Sequence, residues 1–171
     1  LSIANGMAIA SKMDNLGCRV YCILGDGEIE EGQIWEAAMT SNKYALDNLC
    51  VILDDNGLQI DGKVEDVKAL DCLYSKWESF GFNVIPCDGH NIEMLIDSFE
   101  KARQTKGQSS IIIARTVKGK GVPFMENKAE WHGKAPSDEE YEKAMKVLKL
   151  EEEKIEHNIL ELPGKEDSIC F

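Results

Sequence analysis

Hydrophobic and polar positions alternate between two textures along the chain. Arg19-Val20-Tyr21-Cys22-Ile23-Leu24, Leu49-Cys50-Val51-Ile52-Leu53 and Ser110-Ile111-Ile112-Ile113-Ala114 are short, nearly continuous apolar runs rich in β-branched residues. Such runs fit strands covered on both faces, as in a parallel sheet. Phe82-Asn83-Val84-Ile85-Pro86 is a fourth. Its proline lacks the N–H a ladder needs, which favours an edge position or a strand end there. Between these runs the period changes to that of a helix. Ile34, Trp35, Ala38 and Met39 mark one face over about 31–44. Val67, Leu70, Leu73, Tyr74, Trp77 and Phe80 mark a second, and Ile92, Leu95, Ile96, Phe99 and Ala102 a third. Residues 1–13, rich in small side chains, read as a further helix. Strand and helix alternating over short connections predict an α/β fold, a doubly wound, mostly parallel sheet with helices on both faces. Ligands of such sheets sit beyond the carboxyl ends of the strands, so the loops after Leu24, Leu53 and Val117 are where chemistry is expected.

From Ser137 the texture becomes charge-rich. Ser137-Asp138-Glu139-Glu140 fits a capping box opening a helix, with Tyr141, Met145 and Leu148 as its apolar stripe. No repeat or low-complexity linker interrupts the chain, so residues 1–160 read as one domain and 161–171 as a frayed tail. The 171 residues, 43% of them hydrophobic, supply enough apolar side chains for a core. A net charge of −12 argues against a nucleic-acid or anionic-membrane surface. No apolar run approaches the roughly 20 residues that span a bilayer. The six cysteines form no CxxC pair, which reads as reduced thiols in a cytoplasmic protein rather than a disulfide framework. Leu1-Ser2-Ile3-Ala4-Asn5 has the texture of a helix interior, and upstream sequence is expected to be missing.

The informative pattern is Gly25-Asp26-Gly27 directly after one strand and Asp54-Asp55-Asn56-Gly57 directly after the next. The interval between them holds one helix and one return strand. Asp26 and Asn56 should therefore emerge at neighbouring strand ends on one edge of the sheet. A carboxylate and an amide oxygen are hard ligands for Mg²⁺ or Ca²⁺, ions that commonly keep positions open for phosphate oxygens. The glycines let the backbone approach a diphosphate closely. Either motif alone reads as an ordinary strand-end turn; the pair, at this spacing, points to a metal–diphosphate site.

These blocks resemble the diphosphate-binding domain of transketolase, in particular the amino-terminal subunit of a split transketolase. The likeness rests on Gly25-Asp26-Gly27-Glu28, on Glu30-Glu31-Gly32-Gln33-Ile34-Trp35-Glu36-Ala37-Ala38, and on Asp54-Asp55-Asn56-Gly57-Leu58-Gln59-Ile60-Asp61-Gly62. It extends through Lys76-Trp77, Phe80-Gly81, Asp88-Gly89-His90 and Lys118-Gly119-Lys120-Gly121 to Trp131-His132-Gly133. The resemblance implies thiamine diphosphate as cofactor, bound through Mg²⁺ or Ca²⁺. Asp26, the Asn56 side chain and the Leu58 carbonyl would hold the metal. Gly25 and Gly27 would lie against the diphosphate, and Ile60 near the thiazolium ring. His132 would approach the diphosphate and the reacting carbon. Glu31, counted with His132 among the catalytic residues and also among the cofactor-binding ones, matches a buried glutamate that lies at the family's subunit interface and helps couple two active sites, and a plain helix-terminal acid is the alternative. Lys118 and Lys120 could soften the phosphate charge.

The implied reaction passes a two-carbon glycolaldehyde unit from a ketose phosphate to an aldose phosphate. The resemblance also implies what this stretch lacks: upstream histidines, the first strand, and the pyrimidine-binding domain with its acidic residue. A pyrimidine-binding partner protein, in a dimer or heterotetramer, is expected to be required for activity. A 1-deoxyxylulose-phosphate synthase-like fragment and a non-catalytic cofactor-binding remnant are the rival readings. The Glu30-Glu31-Gly32 and Leu58-Gln59-Ile60-Asp61-Gly62 blocks speak against the first rival.

Overall fold

The structure is a computed structural model and describes residues 1–69 and 72–160, with side chains described through 152. The expected tail at 161–171 lies outside the described residues. The four apolar runs form strands β1 (Val20–Gly25), β2 (Leu49–Asp55), β5 (Asn83–Asp88) and β6 (Ser110–Arg115). All pair in parallel, in the order β1-β2-β6-β5. Pro86 therefore sits in an edge strand, where its missing N–H costs no ladder bond. The register sets Gly25 beside Asp54, Asp54 beside Ala114 and Asp88 beside Arg115, so all four strands end at one level. Two strands of two residues each, β3 (Leu58–Gln59) and β4 (Gly62–Lys63), make an antiparallel hairpin beyond that level.

Side chains alternate across the sheet, and each face has its own core. Leu24, Leu49, Val51, Leu53, Ile111 and Ile113 pack with Ala4, Ala8, Ile34, Ala38 and Trp77. These come from helices α1 (Ser2–Met13), α2 (Gly32–Lys43) and α4 (Leu73–Ser79). Trp77 is wholly buried, with the rings of Trp35 and Phe82 each 5.0 Å away, centre to centre. On the other face Cys50, Ile85, Cys87 and Ile112 pack with Ala102, Leu95 and Phe99 of α5 (Ile92–Gln104). Asn91 caps α5 by accepting from the Met94 N–H at 3.0 Å.

That second face is covered less completely than the periodicity predicts. α5 lies over β5 and β6, so Ile92 and Ile96, expected on its buried side, are exposed, and so is Ile23 of β1. The Tyr21 ring reaches Phe99 edge-on at 5.8 Å.

The apolar stripe from Val67 to Phe80 belongs to two short helices instead of one: α3 (Val64–Lys68) and α4. The chain is extended at Ala69 and left-handed at Cys72, with φ at 50°. Trp77 is drawn into the core while Val67 stays exposed, so the two segments do not share one packed face. Leu70 lies outside the described residues. Helix α6 (Asp138–Leu160) opens with the expected capping box. Glu140 N donates to Ser137 Oγ at 3.3 Å, and Ser137 N donates to Glu140 Oε2 at 2.8 Å. Ala144 is its buried contact, and Tyr141 and Leu148 of the expected stripe are exposed. Among the described residues, no helix is long and apolar enough to cross a membrane. The five described cysteines are free thiols.

Candidate functional site

The loops leaving β1 and β2 meet because the strands are neighbours in register. Asp26 N donates to Asp54 O at 3.2 Å, which continues the β1–β2 ladder one step past the sheet. The buried Asp26 carboxylate then bridges the two loops. Its Oδ1 accepts from Gly27 N at 2.8 Å and its Oδ2 from Gly57 N. Asn56 Oδ1 accepts from Leu58 N at 3.0 Å, fixing the amide at the start of the hairpin. A turn of 3-10 helix, Glu28–Glu30, follows the first loop. Gln59 Nε2 donates to Glu30 Oε1 at 2.7 Å and latches this turn to the hairpin. There is no room between them: a Cβ on Gly27 would lie 2.8 Å from Gln59 Cβ.

These elements enclose a cavity of about 680 Å³, within the range of small-molecule sites. Asp26 and Asn56 both line it, and so do Gly25, Gly27, Glu31, Leu58, Ile60 and His132. The residues singled out from the sequence as metal ligands or direct cofactor contacts thus border one space. Glu31 is solvent-exposed in this chain, at the entry to α2, and accepts from Gln33 Nε2 at 3.2 Å. Ile60, in the turn between β3 and β4, stands 73% exposed at the cavity rim. His132 follows a second turn of 3-10 helix, Ala129–Trp131.

Lys118 lines the cavity, whereas Lys120 pairs with Glu126 at 4.0 Å and does not. Lys68, Gln59, Glu28 and Glu30 have no role assigned from the sequence, yet they line the cavity as well. Gln59 carries a signal in its place between two apolar residues of the hairpin. Lys68 carries none, because it comes from the helix that breaks.

The electrostatics follow from the lining. Asp26, Glu28, Glu30, Glu31 and Asp54 are five carboxylates facing two lysines, so the cavity repels an unaccompanied diphosphate. Burial pushes the Asp26 carboxyl above the usual aspartate range, with the Gly57 and Gly27 N–H groups working in the opposite direction. Burial likewise raises Asp55, which pairs with Arg115 at 3.3 Å. Such groups are held ionised most easily by a cation. Among the described residues no three His, Cys, Asp or Glu side chains cluster as a metal site. The donor set that fits an ion here is one carboxylate, one amide oxygen and a backbone carbonyl. That all-oxygen chemistry suits Mg²⁺ or Ca²⁺ completed by ligand oxygens.

Comparison with known proteins agrees with this geometry. Residues 5–161 match the family described as transketolase, thiamine diphosphate binding domain. The chain is 42% identical over 156 residues to a subunit of the apulose-4-phosphate transketolase of Phocaeicola vulgatus, covering 91% of this chain and 56% of that protein. It is 42% identical over 150 residues to the 6-deoxy-6-sulfo-D-fructose transketolase subunit SqwG of a Clostridium species, covering 88% of this chain and 54% of that protein. The chain spans about half the length of these curated relatives. Among solved structures, the transketolase of Campylobacter jejuni superposes with a TM-score of 0.78 at 31% identity, over 84% of this chain and 23% of that one. On the extent of the family match and the identity to these relatives, this chain belongs to the transketolase family and carries its thiamine diphosphate-binding domain.

Proposed function

We propose that the chain is the cofactor-holding component of a transketolase, moving a two-carbon glycolaldehyde unit from a ketose phosphate to an aldose phosphate. In this reading it works with a partner protein that carries the pyrimidine-binding half, as a dimer or heterotetramer. Relatives that are themselves named as transketolase subunits support the need for a partner. The free thiols of its five described cysteines fit a reducing, cytoplasmic location.

The observation that carries the reading is the convergence of Asp26 and Asn56 on one cavity from the ends of adjacent parallel strands. Asp26, Asn56 and the Leu58 carbonyl hold the divalent ion, which inverts the charge of an otherwise acidic cavity. The Gly25–Gly27 backbone lies against the diphosphate. Lys118 and Lys68 take up phosphate charge, and Ile60 gives the thiazolium ring an apolar seat. Thiamine diphosphate supplies the nucleophilic carbon and electron sink of the reaction when bound. His132, near the diphosphate and the reacting carbon in this reading, would serve as hydrogen-bond donor or proton carrier. Glu31 faces the partner, so that its exposure in the single chain becomes burial in the assembly.

The test is calorimetric titration of the chain with thiamine diphosphate in Mg²⁺, in Ca²⁺ and in chelator. Binding should require the ion and be lost in Asp26→Ala and Asn56→Ala. Two-carbon transfer should appear only when the partner protein is added. Equal affinity in chelator would sink the metal-held reading, and turnover by the chain alone would sink the division of labour.

A further inference from the structure

The Asp88-Gly89-His90 segment between β5 and α5 has no place in the cavity, yet its contacts lead there. His90 N donates to Asp88 Oδ1 at 2.9 Å, which folds the loop back on itself. Gly89 N donates to Arg115 O at 2.8 Å, extending the β5–β6 ladder beyond the sheet. A Cβ on Gly89 would overlap Thr116 Cγ2, so the two loops are in full contact. His90 Nε2 accepts from Val117 N at 2.8 Å. An imidazole that accepts at Nε2 carries its proton on Nδ1, so His90 is neutral in this contact.

The segment gripped in this way is held from its other side by the end of β2. Thr116 Oγ1 donates to Asp54 Oδ1, and Thr116 N donates to Asp55 O at 3.2 Å. Lys118, one residue past the N–H that His90 holds, lines the cavity, as does His132. Downstream its carbonyl accepts from Asn127 N at 3.0 Å. The backbone on both sides of Lys118 is therefore tied down, and His90 supplies the upstream tie.

We infer that His90 is a positioning residue for the cofactor: as a neutral acceptor of the Val117 N–H, it holds the Thr116–Val117 turn so that Lys118 faces the diphosphate end of the cavity. This rests on the thiamine diphosphate reading above and adds a residue that touches neither cofactor nor metal. An exposed histidine kept only for solubility would have no need to accept a backbone N–H, and any polar residue would replace it. A positioning histidine needs an acceptor at the reach of Nε2. The glutamine amide oxygen has that reach; phenylalanine has the ring and no acceptor.

The experiment titrates the full chain with thiamine diphosphate in Mg²⁺, following heat, for wild type, His90→Phe, His90→Gln, Lys118→Met and the double change His90→Phe with Lys118→Met. His90→Phe should weaken binding about tenfold, the lower end for residues that hold a ligating group in place, and His90→Gln should recover most of it. In the Lys118→Met background His90→Phe should add nothing, because the group it positions is gone. His90→Ala replaces His90→Phe if the larger ring prevents folding, with the same expectations. Wild-type affinity in the acceptor-free variant overturns the inference. So does an equal loss in both backgrounds, which would mean that His90 acts on the fold and not through Lys118. A wild-type chain that binds no cofactor in Mg²⁺ overturns the cofactor reading itself, and the role of His90 with it.

Discussion

Replacing Gly27 by alanine tests the site through one methyl group. Gly27 has φ −69° and ψ −32°, a conformation open to any residue, so the backbone suffers no strain and the whole effect is steric. The new Cβ would stand 2.8 Å from Gln59 Cβ, where two carbons prefer about 3.5–4.0 Å. Gln59 cannot rotate away, because its Cβ is fixed by the pairing of Gln59 with Gly62 across the hairpin. The hairpin must therefore withdraw by about 1 Å. That movement breaks the 2.7 Å bond from Gln59 to Glu30 and carries Leu58 and Ile60 away from Asp26. Disturbing the groups that orient a metal's ligands costs about 10–100-fold in affinity, or about 1.4–2.7 kcal/mol. Titration of Mg²⁺ and thiamine diphosphate should show this loss with the far-ultraviolet circular dichroism unchanged. Adding Gln59→Gly to Gly27→Ala removes the colliding atom, and the double variant should bind better than Gly27→Ala alone. Wild-type affinity in Gly27→Ala, or no gain from the second change, would refute the steric account.

Two further expectations concern the frame around the site. Trp77→Ala should cost about 3–5 kcal/mol in urea unfolding, since the ring is wholly buried between Trp35 and Phe82 and leaves a cavity; a loss under about 1 kcal/mol would mean the cluster collapses freely. The Gly107 N–H, 3.0 Å away, and the Lys12 ammonium, 2.7 Å away, hold the Asp47 carboxyl below its ordinary value of 3.8. Its contribution is therefore complete above pH 3.8 and is lost as pH falls through the lower folded value. Asp47→Asn should cost about 1–2 kcal/mol at neutral pH and progressively less below pH 3.8, read from urea midpoints across the acid range; a cost independent of pH would show that charge plays no part.

Much of this arrangement is legible in the sequence because the two central strands, β2 and β6, are buried on both faces. β2 and β6 carry apolar residues at nearly every position, and the loops that end β1 and β2 announce themselves by their Asp, Asn and Gly. Two such loops one crossover apart most often fall at neighbouring strand ends, as those of β1 and β2 do, which is why Asp26 and Asn56 are recognisable as a pair. Other features leave weaker traces. The β3–β4 hairpin has two residues per strand, too few to show a period, so the Gln59–Glu30 latch is invisible until the chain is folded. The break at Ala69 and Cys72 keeps the helical spacing of Val67, Leu73 and Trp77 intact on either side, and periodicity cannot register it. Ile92 and Ile96 carry the right pattern for burial, but burial also requires something opposite them. The hydrogen bond from Val117 to His90 depends on two loops from different crossovers ending at one height, a consequence of register alone.

Because β6 is inserted between β2 and β5, a ribosome delivers β5 before the strand it must pair with. About twenty residues separate the end of β5 from the start of β6, so at about 5–20 residues per second β5 waits on the order of 1–4 s for its partner. During that interval Val84, Ile85 and Cys87 belong to a strand without neighbours, and Pro86 removes one of the N–H groups a foreign strand would grasp. β1 and β2 face no such delay. They can zip together as soon as α2 has folded over them, which brings Asp26 and Asn56 side by side in a half-made chain. Of the loops that follow the four strands, the one that carries Lys118 arrives last, and until Thr116 reaches Asp54 and His90 takes hold of Val117 the nascent pocket stays open along that wall.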